Sequence, residues 1–228
     1  FNWFFRRKNA SWWIKFTKSF LINYNIMYLF FKRSNDLFFS FLAIIFFIPI
    51  FLIISLLIKF DSVGPVLFLT KRTGKDNKKF IMFKFRTMYF NSSTENRTTS
   101  SNDDRITRVG KLLRKLKFDE LPQLFNVFLG DMSIVGPRPE LPYYTDQYSK
   151  EEKIILKVKP GITDFSSIEF YNLPDLVPDE NPNEFFEKNI LKTKNKLRIK
   201  YINEIGFKTD LKILFLTMKK IIRLICKI

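Results

Sequence analysis

Residues 37–58, LFFSFLAIIFFIPIFLIISLLI, form a run of 22 positions without a charge. As a helix this run reaches about 33 Å, against a bilayer hydrocarbon core of about 30 Å, so a spanning helix is one reading. Pro49 falls near its middle and removes a helix hydrogen bond. Both flanks are basic, with Lys32 and Arg33 before the run and Lys59, Lys71, Arg72, Lys75 and Lys78 after it. Basic flanks stay on the cytoplasmic side, so a helix–break–helix entering and leaving by one leaflet is the other reading. The run by itself leaves both open.

Beyond it the pattern shortens. DSVGPVLFLTKRTG and KKFIMFKFRTM read as two short strands joined by a polar turn at 75–78. NSSTENRTTSSND (91–103) has nothing to bury and reads as a loop. Helical periodicity resumes at 107–118, with Val109, Leu112, Leu113 and Leu116 on one face. Arg108, Lys111, Arg114, Lys115 and Lys117 fall mostly on the other. A short helix is predicted from Asp119 to Leu129 and another over 144–157, while KPGIT (159–163) reads as a turn. The acidic, proline-bearing stretch 169–186 is irregular and leads into a helix ending near Ile205. Thr209 is predicted to cap a last helix. Its Leu211, Leu214, Phe215, Met218, Ile221, Ile222 and Ile225 lie opposite Lys212, Lys219 and Arg223. Such a helix packs on its own domain or lies on a membrane surface. No internal repeat is visible. The class is α/β, mostly helical with a small sheet. Three parts follow: an aromatic and basic extension (1–31), an apolar segment (32–59) and a domain over 60–228.

The extension mixes Trp3, Trp12 and Trp13 with Arg6, Arg7, Lys8, Lys15 and Lys18, which suits a membrane interface. It carries no small-residue cleavage site of a signal peptide. Charge narrows the partners. The chain holds 39 Lys and Arg against 22 Asp and Glu, a net +17, so nucleic acid, phospholipid headgroups or phosphorylated substrates are expected. Hydrophobic residues make up 46% and Phe alone contributes 28, heavy for a purely soluble protein. The single cysteine, Cys226, excludes an internal disulfide and a cysteine zinc cluster. There is no histidine, which removes Ser–His triads, His–metal sites and imidazole acid–base chemistry. An enzyme with this composition must use carboxylates, lysine or tyrosine, and its metal would be a hard cation on oxygen ligands, Mg²⁺ foremost.

One stretch carries candidate chemistry: KFDELPQLFNVFLGDMSIVGPRPE (117–140). Asp119 and Glu120 precede Pro122, where a helix-capping role is the plain explanation. Pro137 and Pro139 fix φ on either side of Arg138, so its planar five-donor fork is presented with little freedom to lose. That suits bidentate binding of a phosphate, or equally a structural clamp on a carboxylate.

KRSND, the mid-run proline, KRTG, FKFRTM, the long block RITRVGKLLRKLKFDELPQLFNVFLGDMSIVGPRPE and KPGIT occur in one order and spacing. Together they resemble the bacterial sugar transferases, specifically the small monotopic phosphoglycosyl transferases that initiate glycoconjugate assembly such as exopolysaccharide and lipopolysaccharide. The resemblance covers roughly residues 32–225. It implies transfer of a sugar 1-phosphate from a UDP-sugar to a polyprenyl phosphate, undecaprenyl phosphate being the expected one, with release of UMP. It further implies Mg²⁺, an aspartyl-phosphosugar intermediate and a re-entrant hairpin broken at Pro49. The catalytic domain, with amphipathic interfacial helices, would face the cytoplasm at the bacterial inner membrane. On this resemblance Asp119 is nucleophile and Mg²⁺ ligand and Glu120 its catalytic partner. Arg138, with Pro137, binds phosphate, and Arg114, Arg86, Arg72 and Gln123 line the substrate site. Two departures stand out. Ile48 occupies a position before the proline where many relatives have Ser. After PGIT, where many relatives read Gly-Trp, this chain has Asp164 and Phe165, followed by Glu169 and Tyr171, in a region expected to contact the nucleotide-sugar.

A basic membrane-attached scaffold or nucleic-acid binder is the competing class. Nucleic-acid modules interleave aromatics with basic residues. Here the aromatics cluster in the apolar runs, so no nucleic-acid partner is expected.

Overall fold

The computed structural model describes residues 2–92 and 98–225, with side chains over 27–92 and 98–223. The tryptophans and basic residues between Trp3 and Lys18 lie outside the described side chains. Helix α1 (Asn2–Asp61) contains the whole apolar run and continues through Pro49. The expected division into two helices there is not seen: a proline deletes one rung of the ladder, and the turns on either side keep theirs. Over Met27–Asp61 the helix is long and apolar enough to cross a membrane by length and composition.

Both ends of the apolar run are nevertheless bonded to the rest of the chain. Before it, Arg33 donates to the carbonyls of Val127 at 2.6 Å and Phe128 at 2.9 Å, and Asp36 accepts from the amide of Ile134 at 3.0 Å. After it, Asp61 accepts from the amide of Val109 at 3.0 Å. Ile54 and Ile58 close a core with Phe85 and Leu113. The other faces of the run stay bare, as Phe46 at 74% exposure illustrates.

Strands β1 (Leu67–Thr73) and β2 (Lys79–Phe85) form an antiparallel hairpin, joined through a short 3₁₀ turn as the alternating pattern predicts. Its register pairs Phe68 with Lys84 and Arg72 with Phe80, so Arg72 and Lys84 share one face. Among the described residues the outer edge of β2 meets no further strand. Instead the Asn126 side chain accepts from the amide of Phe83 at 2.9 Å and donates to the carbonyl of Ile81 at 2.7 Å. One buried amide thereby does the work of a strand, and it ties β2 to the helix carrying Asn126.

Helix α2 (Arg108–Leu116) is capped by Thr107, whose hydroxyl accepts from the amide of Gly110. Helix α3 (Gln123–Leu129) ends at Gly130, whose φ of 98° supplies the left-handed cap. Strands β3 (Ser133–Val135) and β4 (Gly161–Thr163) then pair in parallel. Gly136 and Gly161 allow this: a Cβ on Gly161 would lie 2.1 Å from the Gly136 nitrogen. KPGIT is thus a short strand rather than a turn alone.

The helix expected over 144–157 is divided. A one-turn helix α4 (Pro142–Thr145) is followed by a 3₁₀ segment, Glu152–Lys157. A capping box starts the second piece, the Ser149 amide donating to Glu152 at 3.0 Å and the Glu152 amide to Ser149 at 3.2 Å. Helix α5 (Phe165–Glu169) leads into the acidic stretch, which folds into two short helices, α6 (Leu173–Leu176) and α7 (Pro182–Phe185). A π-helical turn, Phe186–Leu191, runs on from α7 into α8 (Lys192–Asn203).

Helix α9 (Phe207–Ile225) begins two residues before Thr209, so Thr209 is not its cap and instead donates to the Glu204 carbonyl at 2.6 Å. Ile213 joins the core of Val135, Phe165 and Tyr201. Leu211, Phe215, Met218 and Ile222 remain uncovered, Phe215 at 67% exposure.

Candidate active site

Lys117 redirects the chain at the site. It closes α2 in the left-handed region at φ 60°, and a single 3₁₀ turn, Phe118–Glu120, brings the acidic pair inward. Asp119 is 8% exposed. It caps nothing, because Pro122 stands at the start of α3 without any side-chain capping bond. The plain helix-cap explanation therefore fails.

Lys84, projecting from β2, lies 3.0 Å from Glu120 and 3.9 Å from Asp119. Arg138 pairs with the same Glu120 oxygen, donates from Nη1 to the Ile162 carbonyl at 3.1 Å, and donates its amide to Asp164 at 3.3 Å. Asp164 caps α5 and also accepts from the hydroxyls of Ser166 and Ser167, so the turn bearing Arg138 is anchored to β4 and α5. The clamp and the phosphate fork are compatible, since five guanidinium donors exceed these contacts.

The two carboxylates are driven apart. Burial pushes the Asp119 carboxyl up, the Glu120 charge adds to the push, and Lys84, Lys117 and Arg114 oppose it. Burial also works against Glu120, but Arg138, Lys84 and Lys117 outweigh it and hold that carboxyl well below the usual range. Glu120 is the fixed anion of the pair. Asp119 is the less committed one, with Lys84 as its ion-pair partner among the described residues. A pair of acids with divergent environments is a signature of acid–base or nucleophilic sites.

A second charged cluster adjoins the first. Glu140, buried, pairs with Arg198 at 2.7 Å, Lys194 at 3.0 Å and Arg72 at 3.9 Å. Burial opposes its charge, and Lys194, Arg198 and Arg72 hold its carboxyl well below the usual range. Lys194 is pushed down to about 8 by burial, against the pull of Glu140.

Two cavities meet at Arg138 and Lys194. One, about 180 Å³, is walled by Arg72, Lys84, Glu140 and the threonines Thr98 and Thr99. The other, about 420 Å³, is mostly apolar, with Ala43 and Phe47 of α1 on one side and Thr217 and Ile221 of α9 on another. Glu120 and Lys117 reach into it.

The structure thus gathers Glu120, Arg138 and Arg72 around these spaces, and Asp119, which lines neither, stands 3.9 Å from Lys84 of the smaller one. Arg114 stands behind Asp119, favouring its ionised form, and donates to the Thr87 hydroxyl at 2.8 Å. Pro137 is buried in the turn. Arg86 lies elsewhere: its guanidinium holds the carbonyls of Ser62 and Val63, each at 2.7 Å, closing the exit from α1. Gln123 is fully buried, both polar atoms unpartnered, and lines neither cavity. Lys84, Lys117, Glu140 and Lys194 were not among the sequence candidates. Lys84 had a signal in FKFRTM, where period 2 sets it on the face opposite Phe83 and Phe85.

This arrangement belongs to a defined class. The chain is a member of the bacterial sugar transferase family, whose model matches residues 27–224. It is 44% identical over 146 residues to the UDP-N-acetylgalactosamine-undecaprenyl-phosphate N-acetylgalactosaminephosphotransferase of Aeromonas hydrophila, covering 62% of this chain and 34% of the relative. It is 38% identical to the undecaprenyl-phosphate glucose phosphotransferase of Komagataeibacter xylinus, over 83% of this chain and 35% of the relative. With the UDP-glucose:undecaprenyl-phosphate glucose-1-phosphate transferase of Klebsiella pneumoniae it shares 39% identity over 83% of this chain and 40% of the relative. The chain spans between 34% and 40% of the length of these three relatives.

Proposed function

We propose that the protein transfers a sugar 1-phosphate from a UDP-sugar to undecaprenyl phosphate at the cytoplasmic face of the bacterial inner membrane, releasing UMP. One observation carries the reading: Glu120 of the acidic pair lines an apolar cavity bounded by α1 and α9, and its partner Arg138 borders both that cavity and a cationic one. A lipid phosphate and a nucleotide diphosphate require just such a pair of neighbouring environments.

In the first half-reaction an Asp119 oxygen attacks the sugar-proximal phosphorus, the bond from that phosphorus to the bridging oxygen breaks, and UMP departs with the electron pair. In the second, an oxygen of the lipid phosphate attacks the same phosphorus and frees the Asp119 carboxylate. Arg138 and Lys84 hold phosphoryl oxygens and spread the developing negative charge. Glu120, the fixed anion of the pair, holds those two cations in place, and the lipid phosphate enters as its dianion.

Mg²⁺ fits the donors present, tested on their commitments. Among the described residues no group of three or more His, Cys, Asp and Glu is placed to hold a metal. Mg²⁺ needs only one or two carboxylates when substrate phosphates complete its shell. Glu120 Oε1 is taken by Lys84 and Arg138, which leaves Asp119 as the ligand. When bound, the ion supplies charge neutralisation at the diphosphate.

The test is intact mass after incubation with a UDP-sugar and no acceptor, alongside radiolabel transfer into the organic phase across a panel of UDP-sugars. A sugar-phosphate adduct mapping to Asp119, abolished in Asp119→Asn, is expected. Steady turnover by Asp119→Asn without any adduct would end the proposal.

A further inference from the structure

The charges around the smaller cavity do not balance. Among the described residues Arg72, Lys84, Arg138 and Lys194 line it with the single carboxylate Glu140, and Glu120, paired with Lys84 and Arg138 from outside the lining, leaves an excess of two positive charges. None of these four cation side chains is more than 21% exposed, and Arg198 behind them, with Asp164 as well as Glu140 acting on it, is fully buried. Concentrating unpaired charge out of water is costly unless a counter-charge arrives. Arg72 also keeps a buried Nε without a partner beside the cavity wall. The π-helical turn before α8 adds a residue to the helical repeat and sets Lys194 and Arg198 inward against Glu140. Such turns recur at functional sites because they persist only where something offsets their poorer geometry.

We propose that this cavity binds the diphosphate of the nucleotide donor, and that Lys194 contacts it directly. The inference rests on the sugar-phosphate transferase reading and adds to it a residue and a location. A diphosphate diester carries two negative charges, matching the excess. Arg138 and Lys194 border both cavities, so a diphosphate seated here places its sugar-side phosphorus at the boundary beside Glu120, and Lys84 of the same wall reaches Asp119 at 3.9 Å. Arg198 stays behind as a positioning residue. It holds Glu140, and Glu140 aims Lys194 and Arg72 at the cavity. The threonine hydroxyls of the opposite wall offer neutral donors to the remaining oxygens.

The experiment uses the full chain in lipid nanodiscs, with UDP, UMP and uridine as calorimetric probes. Wild type should bind UDP at least about tenfold tighter than UMP, and uridine weakest, because charge-assisted contacts to a second phosphate are strong. Lys194→Met should erase most of that difference. In turnover it should raise the donor KM at least about tenfold while the KM for undecaprenyl phosphate stays within about twofold, a split that general structural damage would not give. Should Lys194→Met fail to fold, Arg72→Met replaces it, since Glu140 holds Arg72 only at 3.9 Å. Equal binding of UDP and UMP by wild type would overturn the site, as would a donor KM unmoved in the folded variant. A wild type that binds UDP through Lys194 yet transfers no sugar phosphate would support the site and remove the proposed function.

Discussion

Burial raises the Asp119 carboxyl above its ordinary value, and Lys84, at 3.9 Å, pulls it back. A nucleophilic carboxylate must be ionised, so kcat/KM should fall as pH is lowered; in the metal-free protein, where no Mg²⁺ favours the charged form, titration of Asp119 should show an inflection above the ordinary aspartate value. Lys84→Met removes an opposing cation and should move that inflection to higher pH; a downward or absent shift would contradict the assignment. The linkage runs in the same sense. A carboxyl with a raised folded-state pKa carries its penalty at pH values above that pKa and loses it as pH falls through it. Asp119→Asn, at neutral pH, should therefore melt no lower than wild type and gain about 1 kcal/mol, whereas loss of a cap would have cost a similar amount. Asp119, Glu120 and Arg138 were legible because rigid neighbours and an acidic pair in a basic chain stand out locally. Lys84 and Lys194 were not. The first depends on strand register and the second on a π-helical turn, and neither leaves a compositional mark among 39 Lys and Arg.

At the scale of elements, the crossing of Gly136 and Gly161 sets where Arg138 points. The Gly161 amide donates to the Pro137 carbonyl at 3.0 Å and the Gly136 amide to the Thr163 carbonyl at 3.0 Å, so β4 carries the turn. Gly161→Ala would drive its Cβ into backbone atoms that have no rotamer to change. A loss of about 2 kcal/mol or more is expected, with activity falling further than stability because the Arg138 turn is displaced. Gly206→Ala, with nothing within 4 Å of the added carbon, should stay within about 0.5 kcal/mol and serves as the control. Equal, small effects in thermal melts would mean that the strands separate without consequence. The hairpin, α2 and α3 could be read from periodicity over several residues. The pair β3 and β4 could not, each being three residues long and joined across 25 intervening positions. The division at 149 did have a signal, the Ser-x-x-Glu of a capping box inside an otherwise apolar-periodic stretch.

For the whole molecule, the decisive geometry is that both ends of one apolar run are fastened to one domain. Arg33 and Asp36 hold α3 and β3 at the first end, while Asp61 holds α2 and Ile58 enters the core at the second. A segment crossing the bilayer would need to break one set of these contacts to reach the far side, leaving buried amides and carbonyls unpaired at about 1–3 kcal/mol each. The uncovered residues of α1 and α9, among them Phe46 and Phe215, leave apolar surface that one-sided insertion would bury in lipid. The basic flanks and mid-run proline pointed to one-sided insertion from sequence, but only the contacts supply a reason that does not depend on a break at Pro49. Cysteines at Asn35 and Ser62, in a Cys226→Ser background, place a probe near each end. In intact cells both should resist an impermeant reagent added from outside, and both should react after the membrane is permeabilised. Labelling of either one before permeabilisation would put the two ends on opposite sides. Those contacts could then not all hold in the membrane, and the apolar cavity between α1 and α9 would lose a wall.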